Sequence, residues 1–148
     1  QMLRATCAIP LMFPEILIDD MSYYDGGLAN AIPVDRAIEK GYNKHVLILT
    51  RPQGYVKKSG RGTKWSIRLL KKKYPNLVET MRTRAVRYNK RLQEIAELER
   101  AGKVFIFKPD FALKSFEGKV EKMQANYEMG YRHAKEKMDA LKAFLNEN

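Results

Sequence analysis

The residue best suited to chemistry in this sequence is a carboxylate, Asp25, which two glycines follow. The β-forming segment 22–24 precedes it, so Asp25 is predicted at the end of a strand with little steric cover. A carboxylate in such a place can accept a proton as a general base. The alternative is a turn in which the aspartate side chain bonds its own backbone, and spacing alone favours that interpretation.

Other residue types that commonly carry chemistry are scarce. Two histidines and one cysteine are too few for a cysteine-built zinc site, and we expect neither a metal nor a cofactor. His45 begins an apolar strand and is predicted to be structural, and His133 has no partner at ligand spacing. Cys7 lies among small residues and is predicted to pack in the core. The basic, glycine-rich segment 59–62 is predicted to be a mobile loop, with anion binding as the less favoured alternative.

An ordered set of motifs surrounds Asp25. A stretch of small residues, a Phe-Pro pair, the Tyr-Asp-Gly-Gly turn and a following Asn and Pro occur in this order: Arg4-Ala5-Thr6-Cys7-Ala8-Ile9-Pro10, Phe13-Pro14, Tyr24-Asp25-Gly26-Gly27-Leu28, Asn30 and Pro33. The combination resembles the second half of the patatin-like phospholipase domain, with Thr6 where the family often has Ser. Weaker likeness to a bacterial branch continues toward the C-terminus, for example at Arg87-Tyr88-Asn89.

The resemblance implies a lipid acyl hydrolase that uses a Ser–Asp dyad. Asp25, in the motif Asp25-Gly26-Gly27, would be the general base, and the substrate would be a lipid or another acyl ester. The family's Gly-x-Ser-x-Gly turn and oxyanion loop belong to its N-terminal half, and the 148 residues contain no Gly-x-Ser-x-Gly. We therefore expect the chain to be the C-terminal part of a parent enzyme and to be inactive alone.

The positive charge is concentrated in one third of the chain. Residues 1–50 carry a net charge of −2, residues 51–103 carry +12 and residues 104–148 carry +1. Such a block favours an anionic partner, and a solvated basic face is the alternative. We expect segment 57–73 to contact anionic membranes peripherally, in a cytoplasmic protein. Helix packing is the favoured use of Trp65, and the alternative places Trp65 and Tyr55 at the membrane interface. The rival function is a non-enzymatic basic module that binds nucleic acid, which we do not expect because no RNA-binding aromatic signature is present.

The pattern of the chain predicts an α/β fold, and the resemblance makes it the C-terminal portion of a three-layer α/β/α domain with a mostly parallel sheet and C-terminal helices. We assign residues 1–50 and 51–148 to one fold unit.

The predicted elements of the first half, in order, are a hairpin at 16–24, a tight turn at 25–27 with positive φ, a helix at 33–40, a strand at 45–50 and a loop at 51–63. They are followed by a short helix ending near Lys73, a helix from Pro75 to Gly102, a strand at 103–108 and a helix from Lys119 that Gly130 divides. Both later strands are apolar on two faces, which predicts interior strands and self-association of the isolated chain.

Overall fold

The computed structural model describes residues 1–114 and 117–147. The helices are α1 (Met2–Thr6), α2 (Gly26–Ala29), α3 (Val34–Glu39), α4 (Arg61–Leu70), α5 (Pro75–Arg100), α6 (Val120–Glu136) and α7 (Met138–Asn146). The strands are β1 (Ile16–Ile18), β2 (Met21–Tyr23), β3 (His45–Ile48) and β4 (Val104–Phe107). Helices alternate with strands and one strand pair is parallel, so the predicted α/β class is confirmed.

Strands β1 and β2 form the predicted hairpin. They pair antiparallel, with Ile16 opposite Tyr23 and Ile18 opposite Met21. The two loop residues, Asp19 and Asp20, have φ values of 49° and 60°. Positive φ at both central positions matches the twist of the strands, and aspartate tolerates that conformation better than most residues. Strand β2 of this hairpin ends at Tyr23, two residues before Asp25, so the hairpin positions the segment that contains Asp25.

Strands β3 and β4 form a parallel pair whose connection contains α4 and α5. His45 pairs with Val104 and Ile48 pairs with Phe107. The phenylalanines of β4 share one face, and the ring of Phe105 lies 5.7 Å from that of Phe144 in α7, measured between centroids. The other face of β4 presents Val104 and Ile106, which are both buried. Helix α7 thus covers one face of β4.

Strand β3 differs from the prediction of a fully buried strand. Val46 is 41% exposed and Ile48 is 80% exposed. Within the described residues, β3 pairs with β4 alone, so its second edge is open. The apolar run correctly predicted a strand. It could not predict the burial of the strand, because burial depends on neighbouring elements.

Two element boundaries also differ from the sequence pattern. Helix α4 begins at Arg61, inside the predicted loop. The C-terminal helices are divided at Lys137, whereas Gly130 lies inside α6. Glycine inside a helix costs only about 1 kcal/mol relative to alanine, so one glycine is not enough to end a helix of 17 residues. Helix α5 matches its prediction, beginning at Pro75 and ending before Gly102, whose φ is 69°.

Contacts divide the chain into two discontinuous units. The first contains residues 1–33 and 56–93, and the second contains residues 34–55 and the chain from Glu94 onward. The core of the first unit joins α2, α4 and α5 through four buried side chains: Leu28, Leu70, Val78 and Met81. The buried side chains of the second unit include Ile95 and Phe144. The assignment of residues 1–50 and 51–148 to one fold unit stays a prediction.

We propose that the isolated 148-residue chain self-associates through the open edge of β3. Unpaired backbone groups beside exposed Val46 and Ile48 form a template for another strand. The net charge of +11 opposes association, so light scattering should report a larger mass at high salt than at low salt. Ile48→Lys should lower that mass toward the monomer's 17.2 kDa.

Val86→Lys is the matched control, because it adds the same charge at an exposed position of a helix, α5, which has no unpaired strand edge to offer. It should leave the association of the chain nearly unchanged. A monomer at both salt concentrations would contradict the proposal.

Candidate active-site segment

Asp25 caps the single-turn helix α2. Its Oδ1 atom accepts a hydrogen bond of 2.6 Å from the backbone N–H of Gly27. The carboxylate is half-buried. Within the described parts of the chain, its Oδ2 atom accepts no hydrogen bond. One oxygen is therefore fixed in direction and the other is open to an incoming proton donor.

The two glycines allow close approach and do not adopt the positive φ that was predicted for them. The glycines with positive φ are Gly41, Gly54 and Gly102, and the residues after Asp25 are helical instead. A Cβ atom on Gly26 would lie 2.7 Å from Oγ1 of Thr6, and one on Gly27 would lie 2.9 Å from Oδ1 of Asp25. Both distances are shorter than real Cβ contacts, so a side chain at Gly27 would displace the carboxylate.

The stretch of small residues near the N-terminus packs against this segment. The backbone N–H of Asp25 donates to the carbonyl oxygen of Ala8 at 3.0 Å. Ala5 and Ala8 are both buried. Small side chains are required where two backbone segments lie this close. The structure thus brings together two parts of the motif that are 17 or more residues apart in sequence.

Two arginines of α5 hold the opposite end of α2, and sequence reasoning did not identify them as site residues. Arg84 Nε donates to the carbonyl of Gly27 at 3.0 Å. Arg87 Nη2 donates to the carbonyl of Leu28 at 2.8 Å, and its Nη1 donates to that of Ala29. A spacing of three residues places both side chains on one face of α5. In the sequence, that spacing and the Arg87-Tyr88-Asn89 triplet are the features that could have identified the two arginines as site residues.

A polar cluster fixes the residue before Asp25. Glu15 Oε2 accepts from the hydroxyl of Tyr24 at 3.1 Å and from that of Tyr74 at 2.7 Å. Its Oε1 accepts from Lys73 Nζ at 3.2 Å. The hydrogen bond from Tyr74, followed by that from Lys73, lowers the pKa of Glu15 to about 2. Burial raises the pKa of Tyr24 above its ordinary range. The cluster anchors β2 to the start of α5.

The remaining candidate residues occupy other places. His45 is buried at the start of β3, and the ring of His133 packs against that of Phe107 with centroids 6.2 Å apart. Cys7 is exposed, so the prediction that it packs in the core is wrong. Gly60 caps α4, and Arg61 begins that helix. The described residues contain no group of three or more His, Cys, Asp or Glu side chains that could hold a metal ion.

Comparisons with known proteins find matches to two separate segments of the chain. Residues 1–38 match the model of a family described as patatin-like phospholipase, which supports a relation to patatin-like hydrolases at the level of the family. Residues 74–146 match a domain of unknown function, DUF6363. Comparison with curated proteins and with solved structures finds no match. The patatin match contains Asp25, Gly26 and Gly27 and ends before the weaker likeness farther along the chain, which it does not support.

None of the described helices is both long enough and apolar enough to cross a bilayer.

The lowered pKa of Glu15 predicts an acid-sensitive cluster. The ionised Glu15 carboxylate stabilises the fold fully above pH 4.5, the ordinary pKa of glutamate. This stabilisation is lost as the pH falls through about 2, the pKa of Glu15 in the folded chain. We expect Glu15→Gln to lower the melting temperature of the chain above pH 4.5, with the difference from the original chain shrinking toward pH 2. Circular dichroism melting curves across this range measure it.

Glu79→Gln is the control for this experiment. Glu79 is an exposed carboxylate on α5 that pairs with Arg82 at 3.7 Å, and an exposed pair of this kind contributes little. Its melting temperature should follow that of the original chain at every pH. Equal curves for Glu15→Gln and the original chain would contradict the assigned role of the cluster.

Proposed function

We propose that this chain supplies the general base, Asp25, of a patatin-related lipid acyl hydrolase with a Ser–Asp dyad. The observation that carries the proposal is the half-buried carboxylate with one fixed and one open oxygen, in a segment that matches the patatin-like family. The nucleophilic serine and the oxyanion donors would come from a preceding segment of the parent protein. The substrate class is the acyl ester of a lipid.

The reaction would proceed in two steps of the same kind. Asp25 accepts the serine proton while the serine oxygen forms a bond to the ester carbonyl carbon. The bond from that carbon to the alcohol oxygen breaks, and the alcohol leaves with the proton that Asp25 returns. Water then attacks the carbonyl carbon of the acyl-enzyme while it gives a proton to Asp25. The bond from that carbon to the serine oxygen breaks, and Asp25 returns the proton to the serine oxygen as the acid leaves.

The competing interpretation is that Asp25 serves only as a helix cap. The 2.6 Å bond to Gly27 fits both roles. Asparagine caps helices about as well as aspartate does, because its side-chain oxygen accepts the same bond. Asparagine has no site for the transferred proton. The substitution Asp25→Asn therefore separates the two roles.

We expect Asp25→Asn in the full-length parent to reduce turnover of a p-nitrophenyl ester by at least about 10²–10⁴-fold, as loss of a general base does. Circular dichroism should show an unchanged fold, because the cap is kept. Asp20→Asn is the matched control: it makes the same change five residues away in an exposed loop. Near-normal turnover by Asp25→Asn would overturn the proposal. The isolated chain should show no turnover above buffer.

We further propose that α4 and its flanks bind anionic membrane surfaces. Six cations of this region are exposed and, within the described residues, unpaired: Lys58, Arg61, Lys64, Arg68, Lys71 and Lys72. Two others of segment 57–73 are engaged. Lys73 pairs with Glu15, and the ammonium of Lys57 lies 5.1 Å from the ring centroid of Tyr88. The open cations make this surface complementary to anionic headgroups.

The apolar residues of α4 favour a lipid partner over nucleic acid. Trp65 is 62% exposed and Leu69 is 51% exposed, so the favoured prediction, that Trp65 is used in helix packing, is wrong. The two residues are four positions apart and share one face, whereas Leu70 on the other face is buried in the core. Exposed Trp and Leu flanked by Lys and Arg are typical of interfacial helices.

Vesicle co-sedimentation of the full-length parent tests this surface. Each cation that reaches an anionic bilayer contributes about 1 kcal/mol, so Arg68→Glu with Lys72→Glu should weaken binding to phosphatidylserine vesicles by tenfold or more. High salt should weaken binding of the original protein. Trp65→Ser should weaken binding at every salt concentration.

Lys122→Glu with Arg132→Glu is the control, since it makes the same charge change at exposed positions of α6. It should leave vesicle binding nearly unchanged. Equal binding to neutral and anionic vesicles would contradict the proposal, and tighter binding to duplex DNA at matched salt would favour the nucleic-acid alternative.

A further inference from the structure

We infer that Arg84 and Arg87 are positioning residues that hold the Asp25 carboxylate through helix α2. Both lie in the segment that matches a domain of unknown function, and α2 lies in the segment that matches the patatin-like family. The inference gives part of that unassigned domain a role in the active site. It rests on the proposed function of Asp25.

Helix α2 cannot hold its own geometry. It contains four residues, a single turn, and an isolated turn is unfavourable because it fixes many dihedral angles for very few hydrogen bonds. The carbonyls at its C-terminal end, those of residues 27–29, have no following turn to bond. External donors must therefore stabilise it.

The two guanidinium groups supply those donors. Arg84 Nε donates to Gly27 at 3.0 Å, and Arg87 donates to both Leu28 and Ala29. Arg87 is itself held on α5, where its Nη2 also donates to the carbonyl of Thr80 at 2.8 Å and its Nε donates to Thr83 Oγ1 at 3.2 Å. A planar group with five donors can bridge several carbonyls at once, which the ammonium of lysine does poorly.

The residue that connects the arginines to the carboxylate is Gly27. Its N–H fixes Oδ1 of Asp25, and its carbonyl accepts from Arg84. A Cβ atom on Gly27 would lie 3.9 Å from Nη2 of Arg84, so the guanidinium also lies directly against this residue. Displacement of Gly27 would move the anchor of the carboxylate. A misplacement of about 1 Å at a catalytic group can cost about 10²-fold in rate.

The test measures activity and local order in the full-length parent. We expect Arg84→Ala and Arg87→Ala to lower kcat for a p-nitrophenyl ester by about 10- to 100-fold with little change in KM. Arg87→Lys should recover part of that loss, since lysine keeps the charge and one donor at a time. Arg82→Ala is the matched control, because Arg82 lies on the same helix and contacts an exposed glutamate, and kcat should stay unchanged.

Two measurements separate positioning from general stability. Hydrogen exchange at the Gly27 amide should be at least about tenfold faster in Arg87→Ala, while exchange in the core of α5 stays the same. In the Asp25→Asn background, Arg87→Ala should cause little further loss of kcat, because both changes act on the same group.

Unchanged kcat and unchanged Gly27 exchange in a folded Arg84→Ala, Arg87→Ala double variant would overturn the inference. Should that variant not fold, full kcat in folded Arg87→Lys together with unchanged Gly27 exchange would overturn it. Failure of the proposed function is a different result: Asp25→Asn would keep its turnover, whereas faster Gly27 exchange in Arg87→Ala would still show that the arginines hold α2.

Discussion

The geometry of the candidate site depends on the backbone of one residue, Gly27. Its N–H donates to the carboxylate of Asp25 and its carbonyl accepts from Arg84, so two consecutive peptide units that meet at Gly27 connect an anion to a cation. Charge-assisted hydrogen bonds are shorter and stronger than neutral ones. The single turn of α2 is stable because both of its ends are bonded in this way.

Close backbone packing on either side of Gly27 explains why the residues around it are small. Thr6 approaches Gly26 so closely that a side chain there would collide with it, and Ala8 bonds the backbone of Asp25 directly. Larger side chains would separate the segments and break that hydrogen bond. The helix propensity lost by two consecutive glycines, about 1 kcal/mol each, is offset by these contacts. The stretch of small residues and the Asp-Gly-Gly motif are thus two sides of one packing requirement.

Sequence patterns predicted the elements whose signals are local. The hairpin at Asp19-Asp20 and the helix from Pro75 followed from turn residues and hydrophobic spacing, which act within a few residues. Helix α2 was interpreted as a turn because its stability comes from arginines more than 50 residues away. The exposure of Trp65 and Ile48 was not predicted for a related reason. Burial depends on which elements pack against a side chain, and hydrophobic periodicity does not identify those elements. The chemical role of Asp25 was inferred from motif order and stays a proposal.

The basic segment 51–103 was counted as one feature, but its charges have two different environments. Arg84 and Arg87 bond carbonyl groups at short range, and of the two Arg84 is half-buried whereas Arg87 is exposed. The cations of α4 are exposed and interact only with what approaches from solution. A net charge of +12 therefore overstates the charge that a membrane meets. Because α4 and α5 share one core through Leu70 and Val78, the surface proposed to meet the lipid and the helix proposed to hold Asp25 belong to one packed unit.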